Sequence, residues 1–245
     1  MTNRLLTLTL GELKRLNKYH VTTISFIVTV MWFLLLYFID DHDLLTMFLP
    51  FVLIIDATMM SVIFVGSIMF FEKTEATFST MLVTPATNQE LILSKAIANT
   101  IHQVISSLLI IIVFYFVRGV EVNFLYIILT LIISIFFHSL LGFVFSFHSK
   151  DFTTMLVNVM IYSFLFTIPP ALHFFGIIFK GNAWDYILLL APTESAIQLI
   201  TFSFGGVFDL KVFLSILILL SLTIFGYIYY ILPKFKAYAV KQSGV

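Results

Sequence analysis

The chain has 245 residues, of which 60% are hydrophobic and 11% charged, and its mean hydropathy is +1.08. Soluble domains carry roughly 25% charge, so there is too little charged surface to cover a core in water, and lipid must do the covering. Thirteen Lys and Arg balance thirteen Asp and Glu, which gives no basic bias for nucleic acid, and the absence of cysteine excludes disulfides, thiolate metal ligands and a cysteine nucleophile.

Residues 1–20 carry Arg4, Lys14, Arg15 and Lys18, with Leu6, Leu10 and Leu13 at helical spacing. That pattern predicts a helix lying on the inner membrane surface, either as an orientation anchor or as a docking element for a cytoplasmic partner. The apolar stretch that follows is too long for the core of a cleavable signal, so the first helix is expected to stay in the membrane.

Six apolar stretches approach or exceed the ~20 residues needed to cross about 30 Å of hydrocarbon. They are Val21 to Ile39, Leu44 to Phe71, Ala96 to Val117, Phe124 to Phe147, Phe152 to Leu172 and Val212 to Leu232. Each should be helical, because a helix satisfies its own backbone in lipid. Pro169 and Pro170 are expected to end or break the fifth stretch. Ile187 to Gly206 is apolar but holds Pro192, Glu194 and Gln198. A crossing there would put Lys234, Lys236 and Lys241 outside, so one or two short re-entrant helices are predicted, with Pro192 in a first turn and Gly205-Gly206 turning into the last span.

With the N-terminus inside, ten of the 13 basic residues fall on the cytoplasmic side, and only Arg118, Lys180 and Lys211 lie outside. The expected fold is therefore an all-α integral membrane protein forming one transmembrane domain over 1–245. It has an interfacial helix at 1–20, six transmembrane helices, a cytoplasmic loop at 72–95 and an extracellular re-entrant hairpin within 173–211 before the last span. Both termini are expected in the cytoplasm, in the cell membrane.

No HExxH, GxSxG or GxxxxGK[ST] pattern is present, so neither zinc hydrolysis, serine chemistry nor a P-loop is supported. His102 and His138, on neighbouring spans, could share a metal or simply bond between helices; the second is the ordinary explanation. Asp56 is the conspicuous intramembrane carboxylate, and it is either functional or a hydrogen-bonded link between helices. The 72–95 loop opens on Glu72, Lys73, Thr74 and Glu75, read as an acidic helix start. Phe78, Met81 and Leu82 follow at i, i+3, i+4, and Thr84-Pro85 stops the helix.

The run EKTEATFSTMLVTPATNQELILSK resembles the loop after the second span in membrane subunits of ABC-2-type transporters: Glu72, Lys73, Thr77, Leu82, Thr84, Pro85, Glu90 and Lys95 match, whereas Ala76, Ser79 and Ser94 depart. APTESAIQLITFSFGG resembles that family's re-entrant helices, with Ala191 in place of Asn. The resemblance implies a dimer of permease copies in lipid, bound to separate cytoplasmic ATPase subunits that hold ATP and magnesium, with no cofactor or metal on this chain. It also implies coupling through Glu72, Lys73, Thr74, Glu75, Phe78, Met81, Leu82, Thr84 and Pro85, and a cargo path along spans two and five past Asp56, Asn158, Phe164 and Thr167. The 29 Phe residues suit hydrophobic or amphipathic cargo such as a peptide, drug or lipid, although most of them are expected simply to face lipid or neighbouring helices, and the overall cast is similar to permeases that export amphipathic peptide toxins, the phenol-soluble modulins. The alternative is an ion-coupled carrier or channel using Asp56.

Overall fold

The computed structural model describes residues 2–75, 77–82 and 84–242, without the side chains of Thr2, Asn3, Phe78, Ser79, Leu82, Lys236, Ala239, Val240, Lys241 and Gln242. All regular structure among the described residues is helical. In chain order, α1 is Thr2–Lys18, α2 Val21–Tyr37, α3 His42–Ile54, α4 Met60–Thr74, α5 Thr77–Leu82, α6 Asn88–Arg118, α7 Phe124–His148, α8 Phe152–Phe174, α9 Asn182–Ile187, α10 Pro192–Phe202, α11 Leu210–Phe225 and α12 Leu232–Gln242. A π-helical stretch, Ile55–Met59, joins α3 to α4 into one 33-residue span, and a second, Gly226–Ile231, joins α11 to α12.

Five helices are long and apolar enough to cross a membrane, and α2, with 17 residues, falls just short. It nevertheless crosses. α1, α5 and α12 gather at one end of the bundle against the start of α6, so both ends of the chain share that side. A chain that returns to its starting side crosses an even number of times, so α2 is the sixth span, about 26 Å long and at the short end of the usual range. α1 is bent 66° away from it, through His20 in a left-handed conformation at φ 58°, which turns α1 toward the membrane plane.

The second span is the axis of the bundle, with 72% of its apolar window buried against 17% for the last span. It packs most intimately on α7, where Gly142 sits against Val62 and Val65, while Gly66 takes the Met155 side chain of α8. α6 starts eight residues before the predicted Ala96, because Thr87 and Glu90 form a capping box, with the Thr87 hydroxyl accepting from the Glu90 amide at 3.2 Å and Glu90 Oε2 from the Thr87 amide at 2.8 Å. At 31 residues, or about 46 Å, α6 overhangs the hydrocarbon and carries Lys95 to its edge.

Of the two outcomes expected for Pro169 and Pro170, neither break nor end occurs there: both lie inside α8, which runs on to Phe174. The re-entrant reading matches the backbone. α9, a 3-10 turn at Leu188–Leu190 and α10 leave and return at the same end, with Pro192 at the first helical position. α10 is about 16 Å long, half a crossing, and its Pro192 to Ile197 face is buried against α3, α7, α8 and α11.

The α4–α7 crossing gives a direct test. A Cβ on Gly142 would lie 2.8 Å from the Val62 carbonyl oxygen and 2.7 Å from Val65 Cβ, whereas one on Gly226 meets nothing within 4 Å. Gly142→Ala should lower stability by about 1–3 kcal/mol and Gly226→Ala should not, read as midpoints of thermal unfolding in detergent.

Candidate functional site

The loop predicted to be cytoplasmic is held by charge. Four ionisable side chains from α1, α4 and α6 meet under it. Lys95 Nζ donates to Glu12 Oε1 at 2.9 Å and also to Glu72. Arg15 Nη1 donates to Glu72 Oε1 at 2.6 Å and to Glu12 Oε1 at 3.0 Å. Two carboxylates and two cations thus alternate in a neutral ring, with Lys95, Glu72 and Glu12 at 1%, 0% and 5% side-chain exposure. Met81, on α5, closes the set, its sulfur 3.3 Å from Arg15 Nη1.

The rest of α1 grips the same loop. Arg4 donates to the Pro85 carbonyl at 2.7 Å and lies 3.7 Å from Glu90. Tyr19 donates to Glu75 Oε2 at 2.8 Å, with Lys18 3.5 Å from the same oxygen. Burial, reinforced by the bond to Glu75, pushes the Tyr19 hydroxyl up to about 12, so it stays a donor at any physiological pH. On the other side, α12 packs against α5, and Tyr238 joins Met81 and Ala86 around buried Phe235. The loop is therefore clamped between the two terminal helices.

Glu72, expected at the acidic start of the loop helix, belongs instead to the last turn of α4, which continues to Thr74, and its carboxylate is turned inward. Lys73 is half-buried without an ion pair among the described residues, and Thr74, Thr84 and Pro85 are exposed. The side chains of Phe78 and Leu82 lie outside the described residues. Glu12 and Arg15 were missed as partners of Glu72 and Lys95. One signal was available: Glu12 is the sole acid before Asp40, set among four cations.

The second candidate region is an apolar groove of about 310 Å³ between the second span and α8, walled by Ile55, Met59, Met160, Phe164 and Thr167. Ser163 opens onto it, donating to the Val159 carbonyl at 2.9 Å with Met59 Sδ also 2.9 Å from its hydroxyl. Phe48 and Phe51 of the second span meet Phe174 and Phe175 at the end of α8, with ring centroids 5.0 to 6.0 Å apart. Of the four predicted path residues, Phe164 and Thr167 are on this groove. Asp56 is not: Ile55 and Met59 face α8, so its position on the helix turns it toward α2 and α6, where Gln103 meets its carbonyl and the Trp32 indole lies beside its carboxyl. Asn158 donates to Ser149 at 3.1 Å, off the groove.

His102 and His138 have separate partners. His138 Nδ1 donates to the Ser134 carbonyl at 2.7 Å and Nε2 accepts from Tyr162, tying α7 to α8, while His102 meets Gln103 at 3.2 Å.

A six-span bundle with a loop clamped at one end and a re-entrant hairpin at the other matches, over residues 4–204, the family model described as ABC-2 type transporter. The chain belongs to the ABC-2 type transporter family. It is thus a permease component of an ABC transporter, a multi-pass membrane protein without an ATPase site of its own, and its family works with a cytoplasmic ABC ATPase. No curated protein matches the sequence. In this ABC-2 permease the matched segment takes in α1, the clamped loop and the hairpin.

Removing one member of the buried ring leaves the others uncompensated. Lys95→Met should cost about 3–5 kcal/mol and Lys73→Met less than about 0.5 kcal/mol, compared by unfolding of each purified variant in the same detergent.

Proposed function

We propose that the chain is the membrane subunit of an ATP-driven exporter of hydrophobic or amphipathic cargo, working as a dimer with its termini and the 72–95 loop in the cytoplasm of the cell. The observation that carries the reading is the clamp. α1, the end of α4 and the start of α6 meet in one neutral charged ring beneath the loop, so a push on α5 reaches spans two and three together. Charge sidedness supports the orientation, since Lys14, Lys18, Lys73, Lys150 and Lys234 all fall at the clamped end. ATP and magnesium reside on the partner ATPase.

Amphipathic cargo is supported by the groove between spans two and five, apolar along its length, with Phe164 on its wall and the Thr167 hydroxyl lacking a partner. A helical peptide with one apolar face, of the phenol-soluble modulin kind, fits that chemistry. In this reading Lys73, Thr74, Thr84 and Pro85 meet the ATPase, while Glu72, Glu75 and Met81 carry the push inward.

The rival, an ion-coupled carrier, has one observation of its own: Asp56 is 3% exposed in the π-helical stretch, with Oδ2 unpartnered.

Purification from the native membrane should bring down an ATP-hydrolysing subunit. Lys73→Glu with Thr84→Trp should cut its retention about tenfold or more, some 1.4 kcal/mol of binding, with the permease still monodisperse. Vesicles holding the complex should move an amphipathic helical peptide only with ATP. Transport without nucleotide that is abolished by Asp56→Asn would establish the carrier instead.

A further inference from the structure

The end of the bundle opposite the clamp holds a second set of ionisable side chains, drawn from four separate elements. Asp185 of α9 stands between two basic residues, with Oδ1 3.2 Å from His173 Nε2 at the end of α8 and Oδ2 accepting from Lys211 Nζ of α11 at 3.2 Å. Glu194 of α10 lies close enough to feel all three charges and is 1% exposed. Its Oε1 accepts from Gln198 at 2.9 Å, and its Oε2 has no partner. Neither the coupling loop nor the groove nor Asp56 makes use of this set.

The other ring nitrogen decides what His173 carries. Nδ1 lies 2.9 Å from the Phe179 carbonyl oxygen, which can only accept, so Nδ1 bears a proton. In a neutral ring Nε2 would then aim a lone pair at the Asp185 carboxylate, whereas in the imidazolium it presents a proton. Charge balance agrees. With His173 protonated, two cations meet two carboxylates; without that proton, buried Glu194 belongs to a set one positive charge short. The neighbouring elements do not make up the difference. Lys180 is exposed, with no ion pair among the described residues, and Asp41 and Asp209 cap α3 and α11. The cavity beside Phe174 adds His42 but also two acids, Asp43 and Glu121, and α7 brings only Tyr126, stacked on Phe202.

We propose that this set is a proton-binding site, in which a proton on His173, held against Asp185, pins α9 to the end of α8. The proton matters because little else holds α9. That helix has six residues, none of them buried, and a helix so short is not stable on its own. Losing the proton turns one of the two contacts of Asp185 repulsive. The pinned state therefore binds more protons than the freed one, so it is favoured at low pH and lost as pH rises. Histidine is the side chain whose charge ordinarily changes between about pH 5 and 8, and His173, at 15% exposure, is open to exchange with the surroundings. On the orientation and cargo path proposed above, the site reads the outer pH six residues past Thr167 of the groove, about 9 Å along α8. There Thr193 of α10 also donates to the Phe166 carbonyl, so freeing α9 loosens the hairpin over the groove. That consequence rests on the export reading; the proton site does not.

The test is amide hydrogen exchange by the full chain in detergent, without ATPase or cargo, at about pH 5.5 and about pH 8, each corrected for the intrinsic exchange rate at that pH. Protection of the α9 amides from Trp184 to Leu188 should fall about tenfold or more at the higher pH, the loss of one hydrogen bond to a charged group. The amides of α10 should keep theirs. His173→Arg, charged at both pH values, should hold α9 protected at both, whereas His173→Ala and Asp185→Asn should leave it equally unprotected at both. Unchanged protection in the wild-type chain overturns the proposal. So does a fall that survives His173→Ala, which would put the proton on Glu194. Either result leaves the export reading standing, because nothing in the experiment requires transport.

Discussion

Hydrocarbon offers a polypeptide no hydrogen bonds, and the disposition of polar groups in this protein follows from that. Backbone donors and acceptors are spent within helices, and hydroxyls inside the spans turn back onto their own helix. Thr58, Ser61, Ser67, Thr100, Ser139 and Ser163 each donate to the carbonyl four residues earlier. A polar side chain that reaches sideways is therefore informative. Asn99 meets Ser139, Tyr162 meets His138 and Thr130 meets Ser203, each joining two segments that apolar packing alone would leave free to slide.

The same constraint explains why the charged ring sits where it does. Four ionised groups at mid-membrane would be prohibitive, but the overhang of α6 and the tail of α4 bring Lys95 and Glu72 to the boundary, where α1 lies across them and supplies Glu12 and Arg15. Alternation of sign lets the set leave water as a neutral unit. Such a ring adds little net stability over apolar packing, yet it admits one geometry, because a slipped helix would leave a bare charge. It therefore fixes register among three elements that arrive from distant parts of the chain.

Much of this was legible in the residues. Apolar length gave the spans, charge sidedness placed the terminal segments and the loop together, and Pro192 with Gly205 and Gly206 marked the hairpin. What periodicity could not convey was which side chains meet across elements. Glu72 looked like the opening of a surface helix because EKTE is polar, and its burial depends on α1 folding back over 57 residues of sequence. Asp56 looked like a lining residue because span two was known but not its rotation. Pro169 and Pro170 looked like a stop, yet a helix end needs something to receive the chain, and the next polar turn comes only after Phe174.

The π-helical stretch at Ile55–Met59 has a mechanical meaning. A turn of this kind holds one residue more than an α turn, so the halves above and below it are offset by about 100° relative to an unbroken rod. The half that bears Glu72 and the half that bears Phe51 thus face azimuths that neither would adopt alone. Letting that extra residue migrate one turn along the rod would reorient the segment between the old and new positions without stretching the backbone, giving the central column of this bundle a way to twist while its two ends stay anchored.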